Sequence, residues 1–197
     1  MPVPRNHNSR DENKAIRAGE VPEDWADKPA KRSQKDVDAG WTRRQGKSCY
    51  GCKNHVNPDR RHKLVRRHHV SDAALHESQA VDHLPMRGNT GPGVWADAAC
   101  RSEEMKAKLR ALKLTSHIHR KGKRGKPLTE QGKGGNRTRS SVRPRVEHVF
   151  GAKANDMGGT IARTIGMLRA KARIGMKNLA YNMRRLGQLR RLDPCPA

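Results

Sequence analysis

Along the chain, short runs rich in strand formers alternate with segments whose apolar positions recur at helical spacing. Residues 1–46 are polar and aperiodic, broken by Pro2, Pro4, Pro22, Pro29, Gly19, Gly40 and Gly46. Within them Asp11 to Arg17 is a short helix candidate, and Trp25 is a candidate anchor for a loop. From Lys47 the texture changes. "KSCYGCKNHV" and "HKLVRRHHV" flank the turn Asn57-Pro58-Asp59 and predict a β-hairpin. "SDAALHESQAVDHL" predicts a helix capped by Ser71 or Asp72, with Ala74, Leu75, Val81 and Leu84 on its apolar face. Gly88 to Gly93 reads as a loop, and "GVWADAA" as a short buried strand ending at Asp97. "SEEMKAKLRALK" is a helix with Ser102 as N-cap, acids in its first turn and bases in its last. "LTSHIHR" is a further strand. Residues 120–139, rich in Gly, Lys and Arg, read as a basic flexible loop.

A final helical region spans about Arg143 to Arg191, interrupted near Gly158-Gly159. Beyond Thr160, Ile165, Leu168, Ala172, Leu179, Met183 and Leu186 recur mostly at three-and-four spacing. Arg163, Arg169, Lys171, Arg173, Lys177, Arg184 and Arg185 occupy the remaining face. That pattern predicts an amphipathic helix with its apolar stripe on a sheet and its basic face toward phosphate. The element order is an α/β alternation. It divides into a polar arm or insertion (1–46), a core (47–160) and a basic C-terminal helical segment (161–197).

Composition narrows the partner. The 197 residues carry 43 Lys+Arg against 19 Asp+Glu, a formal charge of +24. Residues 1–100 hold +5 of it and residues 101–197 hold +19, so the second half is an electrostatic footprint for a polyanion. Binding through such a surface releases counterions and is steeply salt-dependent. Hydrophobic residues are 33% and aromatic ones 3%, so the core is small for this length. No apolar run is long enough for a membrane span and no secretory signal opens the chain, which predicts a cytoplasmic protein with no membrane partner. Cys49-x-x-Cys52 with His55 invites a zinc site, but no second correctly spaced pair completes one. Asp97 at a strand end reads by itself as a helix cap as readily as a metal ligand. Glu147, four residues after Arg143, reads equally as that arginine's ion-pair partner.

Four segments together resemble one family: "YGCKNHV" with "LVRRHHVSDAA", "GVWADAAC", "SVRPRVEHVFG" and "GGTIARTIGMLRAKARIGMKNLAYNMRRL". They resemble bacterial insertion-sequence transposases of the four/five group, members of the DDE superfamily with a ribonuclease-H-like fold. The resemblance runs from about Pro4 to Leu192. It implies that Asp97 and Glu147 are the second and third acidic ligands of Mg²⁺ or Mn²⁺, and that Arg143 positions a phosphate. Hard divalent ions clamping a scissile phosphate take carboxylate and phosphate oxygens, which is why acids are needed. It also implies double-stranded DNA partners (element inverted repeats and target) and a homo-oligomer when complete. Arg137, Arg139, Arg145, Lys153, Arg169, Lys171, Arg173 and Lys177 are then the expected DNA-backbone contacts.

Three departures from the family pattern change the expectation. The first catalytic Asp belongs at the end of an apolar strand just before a segment like Val3-Pro4-Arg5-Asn6, and this chain starts at Met1. Ser140 stands where the family's helix motif has Tyr, and Lys153 comes one residue early, which turns its side chain by about 100°. Pro144 makes Arg143 a helix start. The chain is therefore expected to be a truncated copy, or the second product of a split frame. It would lack the central strand of its sheet and be inactive alone. The alternative is a non-catalytic basic nucleic-acid-binding protein, ribosome-associated or RNA-binding. With six aromatic residues in all, stacking platforms for single strands would be few.

Overall fold

A computed structural model describes residues 6–44, 46–84, 91, 93–96, 100–122, 125, 127–159 and 163–192. It is a mixed α/β architecture with a helical C-terminus. The predicted hairpin is its backbone: β2 (Lys47–Pro58) pairs antiparallel with β3 (Val65–Asp72), Cys52 opposite Asp72 and Asn57 opposite Arg67. The strand runs through Asn57-Pro58 and turns later than predicted. Asp59 N–H donates to Leu64 O at 2.8 Å, and the Asp59 carboxylate accepts from the backbone N–H groups of Arg61 and His62.

The segment before the hairpin is structured. Helix α1 (Arg10–Arg17) has a complete capping box, Ser9 with Glu12. A 3₁₀ turn at Glu23–Trp25 buries Trp25, whose indole N–H donates to Glu12 Oε1 at 2.7 Å. After α2 (Pro29–Ser33), strand β1 (Gly40–Arg44) adds antiparallel to β2, Trp41 opposite Tyr50. The three-stranded sheet has the order β1-β2-β3. Asn8 and Tyr50 both donate to Asp36 O, tying this segment to β2. A glycine is required at position 40, where a Cβ would sit 2.6 Å from Asp72 Oδ1.

The helix predicted from Ser71 or Asp72 starts later and is shorter. Those residues end β3, and Asp72 Oδ1 accepts from the N–H groups of Ala74 and Leu75 in a side-chain-closed turn. Helix α3 is only Glu77–Ala80, capped by His76, and a 3₁₀ turn at Val81–His83 follows. Strand β4 (Gly93–Val94) pairs parallel with β5 (Thr115–Ser116), extended by His117 N–H to Val94 O. Between them α4 (Glu103–Ala111) is capped by Ser102 as predicted. Its Met105 and Leu109 join Val81, Cys100 and Ile118 in a core cluster. Most of the predicted 88–93 loop, and Asp97, lie outside the described residues.

The predicted flexible loop contains a helix. α5 (Glu130–Ser140) forms despite Gly132, Gly134 and Gly135, which each disfavour helix by about 1 kcal/mol. Thr129 caps it, and the Asn136 amide makes a two-way clip on the backbone of Arg120, 2.8 Å in each direction. Helix α6 (Arg143–Asn155) and the 26-residue α7 (Met167–Leu192) follow, separated near Gly158-Gly159 as predicted.

α7 packs on the hairpin with a face the apolar pattern does not mark. Its buried residues are Ala170, Ile174, Asn178 and Tyr181; Ala170 and Ile174 cluster with Cys52 and Val70, and Tyr181 with Val65 and Val149. The expected core stripe points to solvent: Ile165, Leu168, Leu179, Met183 and Leu186 are all exposed. The reason is polar complementarity. Asn182 brackets Val65, accepting from its N–H and donating to its C=O, both at 2.8 Å. Tyr181 Oη donates to Lys63 O, Arg185 Nε donates to His62 O, and Asn178 pairs with Asn54. Rotating α7 to bury the leucines would leave those backbone groups unpaired. Among the described residues no helix is long and apolar enough to cross a membrane.

Candidate active site

Helix α6 opens at Arg143 because Pro144 fits the first turn, where a missing N–H costs nothing. One turn later Glu147 shares the face of Arg143, and the Arg143 Nε donates to Glu147 Oε1 at 2.9 Å. Both side chains are exposed, 58% and 63%. An exposed i,i+4 pair stabilises little, so the carboxylate remains reachable by a ligand. An exposed carboxylate is also the hard oxygen donor a divalent cation takes. Among the described residues no group of three His, Cys, Asp or Glu is arranged to hold a metal ion, and Asp97 lies outside them.

Arg137, exposed, and Arg139, half-buried, are on the last turn of α5, and half-buried Arg145 is on the first turn of α6. With Arg143 they make the α5–α6 junction basic, while i,i+2 spacing turns Arg137 from Arg139, and Arg143 from Arg145, by about 200°. Arg139 Nη1 donates to Asn136 Oδ1 at 3.3 Å, so the Asn136 clip also orients that guanidinium. Ser140, at the family's Tyr position, meets His119 Nε2 at 3.1 Å.

On α7, Arg169, Arg173 and Lys177 are successive i,i+4 neighbours and form one stripe, with Arg169 and Arg173 exposed. Lys177 is half-buried and donates to Gly159 O, and burial lowers its pKa. Lys171 is exposed on a different side of the helix.

Lys153 is placed elsewhere than expected. It is 5% exposed, donates to Asn178 Oδ1, and lies over the rings of Phe150 and Tyr181 at 5.5 and 5.6 Å. Burial, reinforced by Lys177, pushes its ammonium down to about 8. In this position it joins α6 to α7 and offers nothing to a phosphate. The family position one residue later would lie about 100° further round the helix.

The cysteine pair is equally unsuited to a metal. Three residues apart on extended β2, Cys49 and Cys52 project from opposite faces. Burial, with the nearby Asp36 charge, raises the Cys52 thiol to about 11, the reverse of what a thiolate ligand needs. His55 is half-buried, hydrogen-bonded to Ser71 Oγ at 2.9 Å, and pushed down to about 4 by burial and by His69.

Sequence reasoning missed Asn178, Tyr181 and Asn182 as the groups that set the orientation of α7. The signal that could have found them is the polar pair Asn178 and Asn182 flanking Tyr181 in the "KNLAYN" run of an otherwise basic and apolar helix.

A mixed α/β chain with an exposed Glu one turn after an Arg, at a basic helix junction, matches a known family model. The chain belongs to the transposase DDE domain family, whose model matches residues 17–183. It is 30% identical over 149 residues to the transposase for insertion sequence element IS1106 of Neisseria meningitidis serogroup B, covering 76% of this chain and 51% of that protein. The chain therefore spans about half the length of the curated relative it matches. No solved structure matches it significantly.

Proposed function

We propose that this chain is the catalytic portion of an insertion-sequence DNA transposase with a ribonuclease-H-like core at 47–160. It would bind double-stranded element ends, cleave them in a metal-dependent reaction, and join the 3′ ends to target DNA in a homo-oligomer at the nucleoid. The observation that carries this reading is the Arg143–Glu147 pair on the exposed start of α6, within the residues the family model matches.

In this reading Asp97 and Glu147 hold a divalent cation, Mg²⁺ or Mn²⁺, which when bound activates the attacking oxygen and stabilises the leaving one. The chain's own groups orient the DNA. The guanidinium of Arg143 has five N–H donors, so it can keep its bond to Glu147 while donating to a phosphate. Arg137, Arg139 and Arg145 extend that grip to further phosphates, Arg169, Arg173 and Lys177 supply a second charged stripe, and Lys171 adds a contact from another side of α7. Contacts of this kind set register on the duplex without reading bases.

The test is strand cleavage of element-end DNA with Mg²⁺ or Mn²⁺. It compares the 197-residue chain, a form extended upstream by an apolar strand ending in Asp, and the extended form carrying Glu147→Ala. Cleavage by the extended form that Glu147→Ala abolishes is the expected result. Cleavage indifferent to Glu147→Ala would remove the site assignment. Salt-sensitive binding with no cleavage by any form would leave the non-catalytic reading.

A further inference from the structure

A cleft in the segment before the hairpin shares no lining residue with the proposed active site, and nothing in the reading above uses it. It encloses about 400 Å³ between α1 and the β1–β2 ladder. Arg10, Lys14 and Arg17 line one wall at i, i+4 and i+7, one face of α1. Arg43, directly opposite Ser48 in the ladder register, lines the other, and Trp41 forms part of the lining. No carboxylate is among the lining residues. Glu12, on the same helix, is committed inward to Trp25, Lys31 and Lys35; against the upward push of burial, hydrogen bonds from Ser9, Trp25 and Lys35 hold it down to about 2.

Four cations thus face one concavity with no counter-charge in it. Arg10 to Arg17 spans about 10 Å of helix, comparable to the Debye length at physiological salt, so their potentials add. The walls are fixed. The Trp41 indole N–H donates to Asn8 O at 2.9 Å, and its ring packs against Tyr50 at 5.2 Å and His7 at 5.7 Å. Like charges held together on a rigid wall lower stability unless an anion joins them. The dimension fits a backbone: about 10 Å covers roughly three phosphates of one strand along a duplex.

We propose that this cleft is a second nucleic-acid site, taking the phosphodiester backbone of duplex DNA on Arg10, Lys14, Arg17 and Arg43, with Trp41 beside it. The proposal rests on the DNA reading above and adds a contact surface to a segment whose overall charge gives no sign of one.

The test measures affinity of the 197-residue chain for duplex DNA against salt concentration, with Trp41 emission followed in the same titration. The variants are Arg10→Ala/Lys14→Ala/Arg17→Ala, a control triple of equal charge (Lys28→Ala/Arg32→Ala/Lys113→Ala), and the conservative pair Arg10→Lys/Arg17→Lys. Circular dichroism checks that each is folded. Three lost phosphate contacts lower the slope of log K against log salt by about 2 to 3. The expected result is that drop in the first triple alone, with the slope kept in the lysine pair and the DNA-induced emission change lost in Trp41→Phe. Equal slopes in both triples would overturn the proposal while leaving Glu147-dependent cleavage to judge the transposase reading separately. A Trp41 response to inorganic tripolyphosphate but not to DNA would mark an anion pocket unrelated to nucleic acid and overturn it too. So would absence of DNA binding by the unsubstituted chain.

Discussion

The two long faces of α7 make opposite use of their residues. One face presents Ala170, Ile174, Asn178 and Tyr181, of which two are polar, and it is buried against the hairpin. The other presents Leu168, Met176, Leu179 and Met183, all apolar and 61–83% exposed. Burial here follows hydrogen-bond complementarity to the β2–β3 turn and not summed hydrophobicity. A helix that must pair Val65, Lys63 and His62 has one rotation available to it.

The largest effect that would sharpen this contrast is a truncation on each face. Ile174→Ala is expected to lower unfolding free energy by about 2–5 kcal/mol, and Leu179→Ala to change it by less than about 0.5 kcal/mol. Urea denaturation of the two variants measures both, and equal losses would mean that the leucine face is packed. Asn182→Ala comes next. It strands both backbone groups of Val65 and is expected to cost about 1–3 kcal/mol, read the same way. Tyr181→Phe, which removes the hydrogen bond to Lys63 O, costs about 1 kcal/mol.

The hairpin also carries a pH signature. Because the folded pKa of His55 is about 4, below its ordinary 6.5, the folded state binds fewer protons there than the unfolded one. Its contribution is present in full above pH 6.5 and is lost as pH falls toward 4. Thermal melts between pH 7 and 4.5 should therefore show a decline that His55→Gln flattens. The smallest effect is at the proposed active site: Glu147→Gln removes an exposed ion pair and should shift stability by less than about 0.5 kcal/mol while abolishing cleavage. A large stability loss would make Glu147 structural.

Much of this architecture was legible in the sequence, and the failures share a cause. The β2–β3 hairpin, the Ser102 cap, α1 and the Arg143–Glu147 pairing are all decided by neighbours a few residues apart. The rotation of α7, the existence of α5 and the burial of Lys153 are decided by partners far along the chain. Asn182 reaches Val65, Asn136 clips Arg120, and Lys153 meets Asn178. A polar residue gives no sign in sequence of whether its partner is water or a distant carbonyl. The predicted helix after Asp72 failed locally instead, because the Asp72 carboxylate closed a turn in place of capping a helix.

The central functional claim is that Asp97 and Glu147 serve one cation site on DNA. Its most direct test is Mn²⁺ binding to the protein with element-end duplex, followed by electron paramagnetic resonance for the unsubstituted protein, Asp97→Asn, Glu147→Gln and the double variant. A shared site predicts that each single substitution weakens binding and that the double weakens it little further, the non-additivity expected of groups acting as a unit. Unchanged Mn²⁺ binding in either single variant, or independent losses that add in the double, would contradict it.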